Sequence, residues 1–425
     1  MLKKSIIFLF FMASLNGLFA QEYDQISIGS EYADQTYYSL KHGTIQSNDY
    51  RVWDIAFSTQ GSDDAGIFIN EAAHINANSQ LELYHVPNAS YDQTIVLDTA
   101  SWRRLYNPDV NWQTGAFNTI ASDTNPLDYG WGVYDPNTMV ITGSEVYVIR
   151  LRNGIYKKLF IQTLTDEYKF KYANLNGSDE KLNSIIKTEN GGKVLSHFSL
   201  ENNTVVNIEP DSWDLIFTRY MDYVSLGNGN DEYLDYVITG VLSGVDVQVA
   251  QADGVIPSDA EEGDYLNLYT PLVDEIGYDW KSFNLSLFQY SILDDRVYFV
   301  KNNDNDICKI TFIDFEGPQT GVTTIFKECN IVADADDVSI HGLKSINVFP
   351  NPANTYVDVA LDFEKKTEAQ LSVIDITGKT HLSNSYSFSS GFQSTRLELN
   401  IPSGNYYILI QTPSHVQQIP IVITQ

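Results

Sequence analysis

Beyond residue 345 the apolar residues fall into five short runs, 346–349, 356–361, 369–374, 396–399 and 406–410. Turn formers break them: Pro350-Asn351-Pro352, Thr377-Gly378-Lys379 and Pro402-Ser403-Gly404-Asn405. This punctuation predicts a compact β-sandwich of about 80 residues. Upstream, the same reading gives longer strands in two groups, 146–151, 156–164 and 168–175, then 296–300, 307–315 and 321–327. Arg152-Asn153-Gly154 and the Asn/Asp-rich segment 302–306 supply turns within the groups.

The two groups belong to two repeats. Tyr38-Ser39-Leu40 through Trp53-Asp54-Ile55-Ala56-Phe57 aligns without a gap on Phe198-Ser199-Leu200 through Trp213-Asp214-Leu215-Ile216-Phe217, and Thr44 falls on Thr204. Downstream, Tyr129 and Trp131 meet Tyr278 and Trp280, and Val146-Tyr147 with Lys158 meets Val297-Tyr298 with Lys309. Shared order over about 120 residues indicates an internal duplication. The expected organisation is a leader at 1–20, repeats at 21–180 and 181–332, a polar linker at 333–344 and a terminal domain at 345–425. In each repeat an aromatic strand and a polar turn lead into the Trp-Asp strand. Period-two alternation would place Trp53 and Ile55 on one sheet face with Asp54 on the other, and would group Trp213, Leu215 and Phe217.

Composition agrees with strands. The chain has 425 residues, 43% of them hydrophobic, with 27 Tyr and 21 Phe against 4 Met, and an all-β fold is expected. Lys and Arg number 26 against 55 Asp and Glu, a net charge of -29 that repels phosphate backbones, so nucleic acid is set aside as a partner. Lys3-Lys4 followed by the apolar run 6–12 and small residues up to Ala20 reads as an export leader cleaved near Ala20-Gln21. The leader has no cysteine to acylate, and no later stretch reaches the ~18 apolar residues of a transmembrane segment. A soluble exported chain is expected.

The two cysteines, Cys308 and Cys329, sit on runs flanking the turn residues Glu316-Gly317-Pro318-Gln319-Thr320. Hairpin pairing would set them opposite each other, giving a disulfide worth about 3 kcal/mol; two separate thiols is the other reading.

The terminal domain resembles the type A C-terminal sorting domain of the type IX secretion system. The resemblance rests on Ile346-Asn347-Val348-Phe349-Pro350-Asn351-Pro352-Ala353, on Leu371-Ser372-Val373-Ile374-Asp375-Ile376-Thr377-Gly378-Lys379, on 397–399 and on Pro402-Ser403-Gly404-Asn405-Tyr406-Tyr407. It implies Sec export, passage across the outer membrane by the type IX machinery, removal of the domain, and surface attachment or release. The final run, 419–424, lacks the basic residue usual there.

The repeats resemble the HmuY family of surface-exposed, haem-binding β proteins. The second repeat carries the fuller match, through His197-Phe198-Ser199-Leu200, Ser212-Trp213-Asp214-Leu215-Ile216-Phe217-Thr218-Arg219-Tyr220, Arg296-Val297-Tyr298-Phe299-Val300 and Lys309-Ile310-Thr311-Phe312. The resemblance implies haem as ligand, gripped in the family by two histidines. Here Trp280-Lys281-Ser282-Phe283 is followed by Asn284 and Leu285, and Trp131-Gly132-Val133-Tyr134 by Asp135 and Pro136, so that pair is missing.

Haem iron takes an axial His, Met, Cys or Tyr. Met139, shortly past Trp131, and His85 are the ligand candidates; Tyr129 and Trp131 would stack on the porphyrin. Core packing is the plainer role for Met139, Tyr129 and Trp131, and an ordinary surface or half-buried place the plainer one for His85. His74, His197 and Met221 are further candidates, with an ordinary surface or half-buried place the plainer role for His74 and packing the plainer role for the other two, and Tyr134, Tyr278 and Tyr290 lie in the same regions. The segments 228–232 and 302–306 carry hard oxygens for calcium without EF-hand spacing, and turns account for them. The sequence has no Gly-x-Ser-x-Gly elbow, no His-Glu-x-x-His helix and no phosphate loop, and Asp63-Asp64 and Asp294-Asp295 adjoin turns. The expected function is non-catalytic ligand binding outside the outer membrane, with haem as first ligand. The alternative is a structural or adhesive surface protein that binds glycan or protein.

Overall fold

In the computed structural model, the described residues are 20–61, 64–72, 80–108, 111–225, 233–284, 288–330, 343–363, 365–375, 379–412 and 416–424. The leader through residue 19, most of the linker, His74, Asp63, Leu285 and the segment 228–232 therefore lie outside them. Among the described residues the fold is all-β, with helix confined to short 3-10 turns. The chain divides after residue 331 into two compact units.

The larger unit holds two main cores, and neither follows a single repeat. The first gathers Ile55, Phe57, Trp131, Tyr147 and Phe170 of the first repeat with Phe198 and Leu200 of the second. The second gathers Leu215, Phe217, Trp280, Tyr298 and Phe312 of the second repeat with Ile26, Tyr38 and Leu40 of the first. Strand pairing shows the same exchange. Leu195–Ser199 pairs with Ile55–Ser58, and Asp34–Ser39 pairs with Leu215–Ser225, all antiparallel. At the sheet edges, Lys181–Ile186 lies beside Glu167–Asn174, and Ala20–Ser27 lies beside Val322–Asn330. The first core is thus built from one continuous stretch, about 53–206, and the second closes on strands from both ends of the unit.

Loop length explains this choice. Glu167–Asn174 and Lys181–Ile186 are joined by a short turn, so the opening strand of the second repeat forms a local hairpin at small entropic cost. The equivalent edge on Val322–Asn330 then takes the repeat-equivalent strand Ala20–Ser27.

The alternation expected for the Trp-Asp segments does not hold. Ile55 and Phe57 enter the first core, whereas Trp53 packs with Ala56 and Phe68 in a separate cluster. In the second repeat Leu215 and Phe217 enter the core, and Trp213 turns away to pack with Ile216 and Tyr220. Each strand begins only after its Asp, because the buried carboxylate bends back to accept backbone N–H groups of the partner turn. Asp54 Oδ2 accepts from Leu200 N at 2.7 Å, and Asp214 Oδ2 from Leu40 N at 2.7 Å. The bend reverses the side on which the tryptophan lies.

Cys308 and Cys329 face each other across the pairing of Ile307–Phe315 with Val322–Asn330 and are joined as a disulfide, with Cα atoms 4.0 Å apart.

The smaller unit packs a three-stranded sheet, Leu343–Phe349, Tyr356–Phe363 and Gly391–Glu398, against a four-stranded one, Thr380–Phe388, Thr367–Asp375, Gly404–Gln411 and Val416–Ile423. Val357, Val359, Leu397, Leu371, Val373 and Ile408 fill the space between them. Thr380–Phe388 is not among the five strands read from apolar runs. It lies on a sheet edge, is mostly exposed and is rich in Ser and Asn, so it carries little apolar signal.

Candidate functional site

Turning the two tryptophans out of their cores builds an aromatic seam between the halves of the larger unit. The His197 ring packs edge-on against Trp53 at 4.8 Å, and the Tyr37 ring packs edge-on against Trp213 at 5.2 Å. Tyr37 and His197 are repeat-equivalent, so each repeat supplies the ring that meets the other's tryptophan. The indole N–H of Trp53 donates to Gln35 Oε1 at 3.2 Å, and that of Trp213 to Glu209 Oε1 at 3.1 Å. Trp112, from a loop of the first repeat, completes the seam. Its ring stands edge-on to Trp213 at 5.8 Å, and its N–H donates to Ser243 O at 2.8 Å.

Buried ionisable groups line this seam, and their states follow from desolvation. Burial, helped by the Lys193 charge, lowers the His197 imidazole to about 3, so it is neutral. Glu71 is raised to about 8 by burial, against hydrogen bonds from Asn107, whose N–H donates at 2.9 Å; its carboxyl is protonated at neutral pH. Glu209 is also raised by burial, opposed by donors from Trp213, Val194 and Leu195. Only a chamber of about 90 Å³ remains inside the seam.

Outside the seam the surface opens into a groove of about 620 Å³ with half-buried Trp112 as one wall. Amide side chains of Asn111, Gln113, Gln248, Asn303 and Asn305 line it, together with Leu272. Val245, Asp246, Asn302 and Asn303 also line a neighbouring polar recess of about 240 Å³ that reaches Gln60 and Lys193, so one lining continues from Trp112 to Lys193. Amides both donate and accept, and an indole face offers apolar contact, which is the chemistry that hydroxyl-rich ligands need. The Asn/Asp turn at 302–306 serves this wall: Asn302 Oδ1 accepts from Asp306 N at 2.9 Å, and Asn305 has φ 62°. Among the described residues no three His, Cys, Asp or Glu side chains gather as a metal ion would require.

The haem candidates lie elsewhere. His85, on Glu82–Val86, holds Glu145 Oε2 at 2.7 Å through Nε2. Met139 sits in the turn between Gly132–Asp135 and Val140–Gly143 with φ 56° and 71% exposure, so it is not core filler. Trp131 is fully buried and donates its N–H to Ala65 O at 2.9 Å, while Tyr129 and Tyr134 are partly buried against the same core. None of these residues lines the groove, the recess or the chamber. Met221 and His197 are buried packing residues. Tyr278 packs at the seam, and the Tyr290 hydroxyl lies 3.4 Å from that of Tyr32 in the second half.

The repeat-matched lysines Lys158 and Lys309 turn out to anchor the loops that cover the two sheets. Lys158 Nζ donates to Tyr91 O and Gln93 O, and Lys309 Nζ to Pro257 O and Ala260 O. Trp112 was not a sequence candidate. Its one signal is a lone tryptophan between Asn111 and Gln113 with no mate in the other repeat.

Among the described residues no helix is long and apolar enough to cross a membrane. No curated protein matches the chain. Residues 347–424, by contrast, match the family described as the secretion system C-terminal sorting domain, so this chain carries the type IX signal of a secreted or surface-attached protein.

Proposed function

We propose that the delivered protein is a non-catalytic binding protein that holds a carbohydrate in the groove beside Trp112. The observation that carries this reading is the lining itself: amide-bearing residues from both repeats and one tryptophan around a groove of about 620 Å³. Sugars are bound in just such settings, by stacking on an aromatic face and by side chains that can donate and accept at once. Export supports the reading, because a secreted or surface-attached chain meets glycans. Haem is the ligand implied by the resemblance of the repeats, but His85 is engaged by Glu145 and Met139 points into solvent, which favours the groove.

A glycan array probed with the purified mature chain tests the proposal. Binding to an oligosaccharide that falls at least tenfold in Gln248→Ala and Asn303→Ala is the expected result. A chain that stays folded, ignores every glycan and instead gives a sharp one-equivalent haem absorption band lost in His85→Ala or Met139→Ala would sink it.

A further inference from the structure

The duplication provides an internal comparison of the two outer sheet faces. In the first half, a loop crosses the sheet and lays Tyr91 on Phe160, ring centroids 6.0 Å apart, with Lys171 Nζ 4.2 Å from the Tyr91 ring centre. Tyr91 is only 6% exposed there. Phe160, Lys171 and Leu182 stand side by side on neighbouring strands. Counting from the matched lysines Lys158 and Lys309, their equivalents in the second half are Thr311, Phe326 and Tyr23, which also stand side by side.

The covering loop differs. Lys309 donates to Pro257 O where Lys158 donates to Tyr91 O, so Pro257 occupies the Tyr91 position without an aromatic side chain to lay across the sheet. An open cleft of about 830 Å³ remains, walled by Tyr23, Tyr290, Ile292, Ile313 and Phe326. Tyr23 is 67% exposed and Ile313 45%. Apolar surface left open on a sheet whose duplicate is covered marks an interaction site. Asp294 and Asp314 edge the cleft, and Glu328 on its wall is held by Lys309 at 2.7 Å.

We propose that this cleft docks a basic polypeptide segment of a partner through an aromatic side chain, which takes the place that Tyr91 takes in the first half. The acidic edge and the net charge of -29 select a segment with Lys or Arg flanking the ring. The same charge disfavours a second copy of this chain, and the acidic linker Ala333-Asp334-Ala335-Asp336-Asp337 is excluded on the same ground.

Fluorescence polarisation with a labelled synthetic peptide carrying one tyrosine between four lysines tests this on the full chain. Saturable binding is expected, at least tenfold weaker when the peptide tyrosine is replaced by serine. It is also expected to fall at least tenfold in Pro257→Tyr, which refills the cleft, and in Phe326→Lys, which restores the charge found at Lys171. The groove is untouched by these variants, so carbohydrate binding stays unchanged. Equal binding of the serine peptide would reduce the effect to bulk charge attraction and overturn the proposal. So would binding indifferent to Pro257→Tyr in a variant whose circular dichroism is native, or a concentration-dependent dimer that Pro257→Tyr abolishes.

Discussion

Asp54 of the first repeat accepts a hydrogen bond from the backbone N–H of Leu200 in the second at 2.7 Å, and the duplicate positions Asp214 and Leu40 repeat the bond at the same distance. Each Trp-Asp segment therefore caps the turn that opens the other repeat. The backbone agrees, since Asp54 N donates to Phe198 O and Asp214 N to Tyr38 O, both at 2.9 Å. In each repeat one carboxylate thus fixes two features together, where the strand starts and which way the tryptophan turns, and it ties that strand to a turn of the other repeat.

Folding units should follow the cores rather than the repeats. A fragment spanning 53–206 keeps Phe198 and Leu200 with Ile55 and Phe57, whereas a fragment spanning 21–180 loses them and leaves Asp34–Ser39 with Gly43–Asp49 but without Leu215–Ser225 on its other side. Cooperative urea unfolding is expected for the first and none for the second. The reverse outcome would show that the exchange is not what holds the halves together.

The two aspartates are not energetically equal. Asp54 also pairs with Arg152 at 2.7 Å, and both side chains are buried. Asp54→Ala leaves a buried guanidinium without its carboxylate and is expected to cost about 3–5 kcal/mol. Asp214 answers mainly to backbone and neutral side-chain donors, so Asp214→Ala is expected to cost about 1–3 kcal/mol. Urea midpoints of the two variants check the order; an equal loss would mean the ion pair adds nothing.

The duplication was legible because framework residues carry it: Trp53 and Trp213, Asp54 and Asp214, Lys158 and Lys309 each keep one task in both halves. The exchange was not legible, for the same reason. Tyr38 and Phe198 open near-identical strands, so the apolar pattern is satisfied whether a strand pairs within its repeat or across, and only the short connection after Glu167–Asn174 decides. Alternation misplaced Trp53 because it assumes a regular strand through Asp54, where a buried carboxylate imposes a bend. The groove is not legible in the sequence, since Trp112 has no repeat mate and its amide neighbours come from segments distant in sequence.

Glu71 gives the stability curve a pH signature. Its carboxyl keeps its proton in the folded chain to about pH 8, while an unfolded glutamate ionises near 4.5. Its contribution is full below pH 4.5 and is lost as pH rises through 8, with a slope of about 1.4 kcal/mol per pH unit in between. Glu71→Gln, which cannot ionise, removes that slope. Unfolding free energies of both proteins at pH 5, 6, 7 and 8 are expected to diverge steadily in favour of the variant. A constant difference would mean that Glu71 is ionised in the fold.

The disulfide secures the edge on which the chain's opening strand rests. Val322–Asn330 bonds Ile307–Phe315 on one side, where Cys329 meets Cys308, and Ala20–Ser27 on the other. Closing a loop with a sequence separation of 21 is worth about 3 kcal/mol in the unfolded-chain picture. The double variant Cys308→Ser, Cys329→Ser is expected to lose about that much, and the loss falls on the second core alone. Amide hydrogen exchange localises it. Protection should drop in 20–27 and 307–330 while the amides around Trp131 and Tyr147, which belong to the first core, keep theirs. A uniform drop across both cores would show instead that the halves unfold as one body, with the seam of Trp53, Trp112 and Trp213 coupling them as strongly as the cores hold themselves.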